Sequence, residues 1–269
     1  MSLIRVGVSG AAGRMGRRLV SMISSDVDLK LSAAFESVSH DKIGVDVGEL
    51  AGVGCLGVLV GSNFSGLGCV DVLIDFSTPQ ATEGVVGSCV EFGVPLVFAT
   101  TGTSVEQDGL IGAASRRIPV LTSPSMSLMV NVAMNLCKTA AKTLSDKDVD
   151  VEIVESHHRY KADSPSGTAL KFGRIISEQM GLGRQVYGRE GQVGARKRDE
   201  IGFHSIRIGD DPGGHSILFG LLGETLEISV KATSRDCYAI GAIAAAKFIH
   251  NKPPGMYNMN DLLEGMRNQ

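Results

Sequence analysis

The fold of this chain is decided by the stretch IRVGVSGAAGRMG at residues 4–16. Its start alternates at strand period, and a glycine-rich turn then leads into a helix that we predict over residues 14–23. A GxxGxxG turn between a first strand and a first helix is typical of a dinucleotide-binding site, because the unpaired N–H groups at the helix start bind phosphate. Ala12 stands where the usual second glycine would be, so the turn taken alone also fits simple packing.

Glu36 strengthens the nucleotide interpretation. It follows a second predicted strand, twenty residues beyond Gly16, where a carboxylate accepts hydrogen bonds from a ribose diol. A carboxylate at this position favours NADH, whereas NADPH needs a cation beside its 2′-phosphate. Ser37 comes next, and only His40 and Lys42 are near. We therefore predict that NADH is the preferred cofactor and NADPH the weaker one.

Apolar runs alternate with helical stretches through the rest of the first half. The second strand is expected over residues 29–35, with one face formed by Leu29, Leu31, Ala33 and Phe35. Further strands are predicted at residues 70–75, 96–99 and 120–121, with helices beginning near Pro79 and Ser104. Runs that are apolar on both faces indicate a parallel sheet covered by helices on each side. The prediction is an α/β fold with a Rossmann-like, doubly wound parallel sheet.

Polar residues follow two of these later strands. DFSTP at residues 75–79 and ATTG at residues 99–102 lie at the edge where ligands bind in open α/β sheets. Their hydroxyl and backbone groups are expected to line the nicotinamide, although either segment could be an ordinary turn rich in threonine and glycine.

A second informative stretch is ESHHRYKADSPSGTA at residues 155–169, between an alternating strand at 149–154 and a helical pattern. Its first helical turn, with N–H groups suited to a carboxylate or phosphate, is formed by Ser166, Gly167 and Thr168. Lys161 and Arg159 add charge, and His157 or His158 exchanges a proton near neutral pH. The segment is predicted to bind an anion and protonate it, while a solvated basic loop with a helix cap is the simpler alternative.

The pattern changes after this stretch. Alternating strands are predicted near residues 202–208, 215–221 and 226–232, which indicates a second α+β domain built on a mostly antiparallel sheet. The small-residue helix at 239–249 resembles the first half, to which we expect the chain to return. The predicted domains are residues 1–127 plus 240–269 for dinucleotide binding and 128–239 for substrate binding and oligomerisation.

Composition narrows the function classes. The 269 residues carry a net charge of −3, and the only dense basic cluster, at 196–198, is followed at once by acidic residues, so we interpret it as a solvated loop and expect no nucleic-acid partner. No signal sequence and no apolar run of membrane-spanning length is present, which predicts a cytoplasmic protein. Five scattered cysteines without CxxC, and no HExxH, argue against a disulfide framework and a metal site.

With both motifs described, the chain resembles the 4-hydroxy-tetrahydrodipicolinate (dihydrodipicolinate) reductase family over nearly its full length. The resemblance is carried by GAAGRMGR at 10–17, Glu36, DFSTP, ATTG, the segment at 155–169, GREG at 188–191, EIGFHSIR at 200–207 and GETLEISVKATSR at 223–235. It implies a Rossmann domain, a substrate and tetramerisation domain, and reduction of a cyclic imine dicarboxylate by NADH or NADPH in the diaminopimelate route to lysine. A homo-oligomer, specifically a tetramer, is expected.

The resemblance also implies roles for individual residues. His157 would be the catalytic acid/base and Lys161 the proton donor, while the substrate would be bound by His158, Ser166, Gly167, Thr168 and Thr101. The cofactor would contact Gly10, Ala11, Ala12, Gly13, Arg14, Met15, Glu36, Ala99, Thr100, Thr101, Ser123, Pro124, Ser125 and Met126. Two departures stand out: the family's hinge is close to PNFSxGVN where this chain has PSMSLMVN at 124–131, and Ser37 replaces a common arginine.

Two other function classes remain open at this point. One is another two-domain dehydrogenase of a small anionic metabolite, against which the two-histidine segment argues. The other is a non-catalytic NAD(H)-sensing protein, which would have little use for His157 and Lys161 beside an anion-binding turn. A turnover assay separates the second from an enzyme.

Overall fold

The computed structural model describes residues 2–267, and the chain divides into two units. The first runs up to Leu128 and resumes at Asp236, and the second is Met129–Arg235. The return to the first unit comes a few residues before the predicted residue 240, because the last long helix begins at Asp236 and not near Ala239.

Strands and helices alternate through the first half of the chain, as the sequence indicates, and three long strands in succession mark the second unit. The elements of the described residues are as follows. The strands are β1 (Ile4–Ser9), β2 (Leu29–Phe35), β3 (Val60–Gly61), β4 (Val72–Asp75), β5 (Leu96–Phe98), β6 (Pro119–Thr122), β7 (Asp150–His157), β8 (Arg184–Tyr187), β9 (Glu200–Arg207), β10 (Gly214–Leu221), β11 (Glu224–Lys231) and β12 (Gly255–Tyr257). The α-helices are α1 (Arg14–Ser25), α2 (Val47–Ala51), α3 (Thr82–Phe92), α4 (Val105–Ala114), α5 (Leu128–Thr143), α6 (Gly167–Met180), α7 (Asp236–Ile249) and α8 (Met259–Arg267). Short 3₁₀ helices are Phe64–Cys69 and Pro79–Ala81.

The first unit is built on a seven-stranded parallel sheet with the order β12-β6-β5-β4-β1-β2-β3. Apolar cores lie on both faces, one against α1, α7 and α8 and the other against α3 and α4. Strands that are apolar on both faces require this arrangement, since each face must be covered. The sheet order reverses between β1 and β4, so their carboxyl ends form the switch point where dinucleotides bind in such folds.

One expectation about β2 is wrong. Leu29, Leu31, Ala33 and Phe35 do not share a face: the first two pack in the core with α1, and the other two pack in the opposite core. The pairing with β1 shifts between Val6 and Gly7, which leaves one extra residue in β2. Such a bulge reverses the side-chain alternation, and the period of the sequence alone did not indicate it.

The second unit is a five-stranded sheet with the order β11-β10-β7-β9-β8. β10 pairs antiparallel with both β11 and β7, while β9 pairs parallel with β7 and β8. One face packs against α5 and α6 in a single apolar core. The predicted fold class, a Rossmann-like sheet with a second α+β unit, is confirmed.

The basic cluster at 196–198 is not simply a solvated loop. The Arg196 side chain is 17% exposed, and its guanidinium forms ion pairs with Asp150 at 2.7 Å and Glu152 at 3.0 Å. It also donates to the carbonyl oxygens of Val151 and Glu200. The prediction failed for Arg196 because its partners lie more than forty positions away on β7, where local composition gives no sign of them.

Candidate active site

The glycine-rich turn after β1 has the geometry of a phosphate-binding loop. Gly10 has φ of +75°, and a side chain at Gly16 would lie 2.1 Å from the Gly10 carbonyl oxygen, so both positions require glycine. Gly13 is the N-cap of α1 and has no side-chain cap, and a Cβ there would meet only one carbonyl oxygen, at 3.2 Å. The first N–H groups of α1, including those of Arg14 and Met15, are thus available to a phosphate approaching the exposed Gly13.

Glu36 joins this turn to the end of β2. Its Oε1 accepts a hydrogen bond from the N–H of Ala12 at 2.9 Å, which places the carboxylate beside the turn. Ala11 and Ala12 are buried, so the alanine in place of the usual second glycine points into the protein. The two nearby basic residues already have a partner, because Lys42 Nζ and His40 Nδ1 lie 2.7 and 3.3 Å from Asp41. These residues fit the ribose and pyrophosphate of a dinucleotide.

Asp75, at the end of β4, organises the next two loops and is a residue whose role the sequence did not reveal. It is fully buried, and its carboxylate accepts hydrogen bonds from the hydroxyl groups of Ser77 at 2.7 Å and Thr100 at 2.6 Å. Burial raises the pKa of Asp75, while the hydroxyl donors oppose that shift. The DFSTP and ATTG segments are therefore fixed to each other at the carboxyl edge of the sheet, with Ala99 buried and Thr101 exposed.

The segment before α5 is mostly buried, in contrast to the turn after β1. Ser123 and Ser125 are buried and hydrogen-bonded to one another, with the Ser123 hydroxyl donating to the Ser125 carbonyl oxygen at 2.8 Å, while Pro124 is exposed. Met126 is 2% exposed and belongs to the core beside α7, where a Cβ on Gly241 would lie 1.7 Å from the Met126 carbonyl oxygen. The altered hinge is thus a packed segment, with the Met126 side chain directed into the core.

In the second unit, strand β7 carries a buried carboxylate, Glu155, next to a buried imidazole, His157. Glu155 and His157 are two positions apart on the same face of the strand, and Glu155 Oε2 lies 2.5 Å from His157 Nδ1. Arg207 of β9 forms a bidentate ion pair with the same carboxylate, at 2.8 and 3.0 Å. Burial lowers the pKa of His157, although Glu155 opposes this shift.

The predicted anion-binding turn lies at the start of α6, and its three residues differ in burial and in hydrogen bonding. Ser166 is 2% exposed; its N–H donates to Glu155 at 3.2 Å, and its hydroxyl accepts from the Ala169 N–H and contacts His215 Nε2. Ser166 therefore shapes the turn from inside. Gly167 is exposed and Thr168 half-buried, and their N–H groups have no acceptor within residues 2–267. A Cβ on Gly167 would meet no protein atom, so packing does not require a glycine there.

His158 and Lys161 complete the site on the segment that follows β7. Nδ1 of His158 is buried without a hydrogen-bond partner in the described part of the chain, so it can receive a ligand. Lys161 forms an ion pair with Asp163 at 2.9 Å, and its ammonium contributes to lowering the pKa of His157. The second unit thus brings together two free amides, an unpaired imidazole nitrogen, an ammonium group and a buried imidazole. Such a set can bind a carboxylate and transfer a proton.

Three functional residues of this unit were missed from the sequence: Glu155, Arg207 and His215. His215 of β10 is buried against His157 and Phe172, with ring centroids 5.4 and 5.8 Å apart, and burial lowers its pKa to about 4. A signal for Glu155 was present, since a charged residue at an inward position of a strand requires a buried partner. Arg207 and His215 lie more than forty positions away, so no local pattern pairs them with β7. No group of three side chains arranged to hold a metal is found within residues 2–267.

The glycine-rich turn with Glu36 beside it fits a dinucleotide, and the second unit has groups suited to binding an anion and transferring a proton. These features indicate a two-domain, nicotinamide-dependent oxidoreductase. Comparison with known proteins gives the family. The family model "Dihydrodipicolinate reductase, N-terminus" matches residues 4–126, and "Dihydrodipicolinate reductase, C-terminus" matches residues 129–263. The chain belongs to the dihydrodipicolinate reductase family.

Individual relatives agree with this assignment. The chain is 49% identical to the 4-hydroxy-tetrahydrodipicolinate reductase of Rhodopirellula baltica over 97% of this chain and 96% of that protein. It is 43% identical to the enzyme of the same name from Alkalilimnicola ehrlichii, over 96% and 98%. Among solved structures, it is similar to a dipicolinate-bound dihydrodipicolinate reductase from a Paenisporosarcina species, with a TM-score of 0.74, 25% identity and coverage of 95% and 97%. The chain is thus an NAD(P)H-dependent reductase.

Proposed function

We propose that this chain reduces a cyclic imine dicarboxylate, formed from 4-hydroxy-tetrahydrodipicolinate, to tetrahydrodipicolinate in the diaminopimelate route to lysine. The observation that carries the proposal is the segment from β7 to the start of α6, which holds two free amides, a His158 nitrogen without a partner within residues 2–267, and Lys161. A cyclic imine dicarboxylate needs two anion-binding points and, for its reduction, a proton donor, and this set supplies all three. The dipicolinate bound to the Paenisporosarcina reductase is a ligand of that chemistry.

The first unit would hold the cofactor, which supplies a hydride when bound. The turn at 10–15 would bind the pyrophosphate and Glu36 the adenosine ribose, while the loops fixed by Asp75 would lie at the nicotinamide half of the sheet edge. NADH is preferred over NADPH in this proposal. Glu36 repels a 2′-phosphate, Ser37 offers no charge, and His40 and Lys42 are occupied by Asp41.

The second unit would bind the dicarboxylate and supply the proton. One carboxylate accepts from the amides of Gly167 and Thr168, and the other contacts His158, whose buried Nδ1 would otherwise stay unpaired. Lys161 donates the proton that accompanies the hydride, and His157 acts as acid/base beside it. We place Ser166 as the support of this turn, because its own polar groups are engaged within the protein.

Assembly and location are also proposals. β11 lies at the edge of the second sheet and is exposed along most of its length, so a further copy of the chain would cover it in a homo-oligomer, which we propose is a tetramer. No helix within residues 2–267 is long and apolar enough to span a bilayer. All five cysteines are free, which suits the reducing cytoplasm, where we place the protein.

The test is NADH and NADPH oxidation with freshly generated cyclic precursor. Turnover with both cofactors, higher with NADH at low concentration, supports the proposal. Binding of NADH without turnover would instead identify a sensing protein. Turnover of a different small anionic metabolite, and not of this one, would assign the chain another substrate.

A further inference from the structure

Glu155 connects the imidazole of His157 to the anion-binding turn. The carboxylate is 1% exposed, and its two oxygens have different partners. Oε2 contacts His157 Nδ1 at 2.5 Å, and Oε1 accepts from the N–H of Ser166, the N-cap of α6, at 3.2 Å. One buried side chain therefore fixes both the imidazole and the helix start whose amides would bind a carboxylate.

Arg207 keeps this carboxylate charged. Its two terminal nitrogens donate to the two oxygens of Glu155, and Nη2 also donates to the carbonyl oxygen of Asp163 at 2.7 Å. Burial alone would raise the pKa of Glu155, but hydrogen bonds from Arg207, Ser205 and His157 hold it at about 2. A carboxylate of that acidity does not take a proton from an imidazole. Nδ1 of His157 accordingly carries a proton, and Nε2 is the nitrogen left for exchange.

A glycine lies beside Nε2 of His157, where the side chain of any other residue would crowd the ring. Gly213, in the turn before β10, has φ of +138°, and a Cβ there would lie 2.9 Å from His157 Nε2. Asp211 fixes this turn against β7, because it accepts from the Ser156 hydroxyl at 2.7 Å and from the Gly213 N–H at 3.0 Å. The charged and titratable groups that act on His157 are Glu155, Lys161, Arg207, Asp211 and His215.

We propose that Glu155 is a positioning residue, which holds His157 with Nδ1 protonated and Nε2 free and sets the start of α6 at the same time. The proposal rests on the proposed function, in which His157 exchanges a proton with the substrate. It assigns Arg207 two parts, since the guanidinium holds the Glu155 carboxylate in place and its charge also acts directly on His157.

Two substitutions distinguish positioning from a merely structural role, because they act on His157 in opposite directions. Glu155 raises the pKa of His157, so Glu155→Gln lowers it, by about one pH unit or more for a charge at contact distance. Arg207 lowers the pKa of His157, so Arg207→Gln raises it. Loss of packing alone would not give shifts of opposite sign.

The experiment is an NMR titration of ¹³C-labelled histidine in the full chain, with the His157 signal assigned from His157→Gln. Glu152→Gln is the matched control: Glu152 is also on β7, pairs with a histidine, His204, at 2.7 Å and with two arginines, and has no contact with His157. We expect a lower His157 pKa in Glu155→Gln, a higher one in Arg207→Gln and no change in the control. An unchanged His157 pKa in Glu155→Gln overturns the proposal.

Binding of dipicolinate supplies a second readout. Glu155→Gln leaves one acceptor oxygen for the donors that share two in the native chain, so it should loosen the start of α6. It is expected to weaken dipicolinate binding at least severalfold, without changing NADH binding by the other unit. An unaltered dipicolinate affinity would show that Glu155 does not affect ligand binding through the start of α6. If Glu155→Gln does not fold, Arg207→Gln decides alone, and a lowered or unchanged His157 pKa in that variant overturns the proposal. Full turnover by His157→Ala would refute the role of His157 in the reaction, whereas both titrations would still test its positioning.

Discussion

The candidate sites of the two units are built by different means. The first uses backbone: a glycine turn, a helix start and one carboxylate beside them, all within residues 9–36. The second also has a helix start, but adds a network of side chains that come from β7, β9 and β10 and meet only in the folded sheet. A backbone site is encoded by a short local motif, whereas a side-chain network depends on strand pairing. The second unit should therefore be the more sensitive to single substitutions and to pH.

The largest effect is expected at Lys161, the proposed proton donor. Lys161→Ala should reduce kcat by about 10²- to 10⁴-fold, the usual contribution of general acid catalysis, and leave the Kd for NADH unchanged. Lys147→Ala is the control, since Lys147 is also paired with a nearby aspartate in the same unit. Steady-state kinetics with NADH titration check this. Near-normal turnover by Lys161→Ala would show that Lys161 is not the proton donor.

Acid stability should depend on His215. Its pKa of about 4 lies below the 6.5 of the free group, so below pH 6.5 the unfolded chain binds a proton that the folded chain does not. Stability from this residue is complete above pH 6.5 and is lost as the pH falls toward 4, by on the order of 3 kcal/mol. Denaturant unfolding of the native chain and His215→Gln at both pH values tests this. Equal losses in the two proteins would contradict it.

A substitution at Gly167 tests ligand contact without disturbing the packing of the protein. Because a Cβ there meets no protein atom, Gly167→Ala should leave the free energy of unfolding within about 1 kcal/mol of the native value. The substrate KM should rise about tenfold as the methyl group obstructs approach to the amides. Gly183→Ala, in equally open space in the same unit, is the control. An unchanged KM in Gly167→Ala would mean that the carboxylate binds elsewhere.

The smallest effect concerns cofactor choice in the first unit. Ser37→Arg should tighten NADPH binding about tenfold by pairing with the 2′-phosphate, with little change for NADH. Ser37→Gln provides a side chain of similar reach without charge. Calorimetric titration of both cofactors measures this. Native protein that binds NADPH more tightly than NADH would show that His40 and Lys42 outweigh Glu36.

The same contrast explains what the sequence could predict. Alternation and glycine spacing were enough for the parallel sheet, the phosphate turn and the helix start at Ser166, because these depend on neighbours in sequence. The bulge in β2, the core position of Met126 and the ion pairs of Arg196 were not predictable in this way. Glu155 stood in the most informative stretch of the chain, yet its role became visible only when β9 and β10 placed Arg207 and His215 beside it.

The central claim for the second unit is that His157 takes part in proton exchange and His158 in substrate binding. Its most direct test is a kinetic comparison of His157→Ala with His158→Ala. His157 Nδ1 contacts Glu155 Oε2, and we propose that this contact holds the ring for proton exchange. His158 has a buried Nδ1 without a hydrogen-bond partner within residues 2–267, which we propose contacts the substrate. We expect His157→Ala to lower kcat by about 10²-fold or more with little change in KM, and His158→Ala to raise the KM for the dicarboxylate about tenfold with kcat nearly retained. Equal effects of the two substitutions on both constants would contradict the assignment.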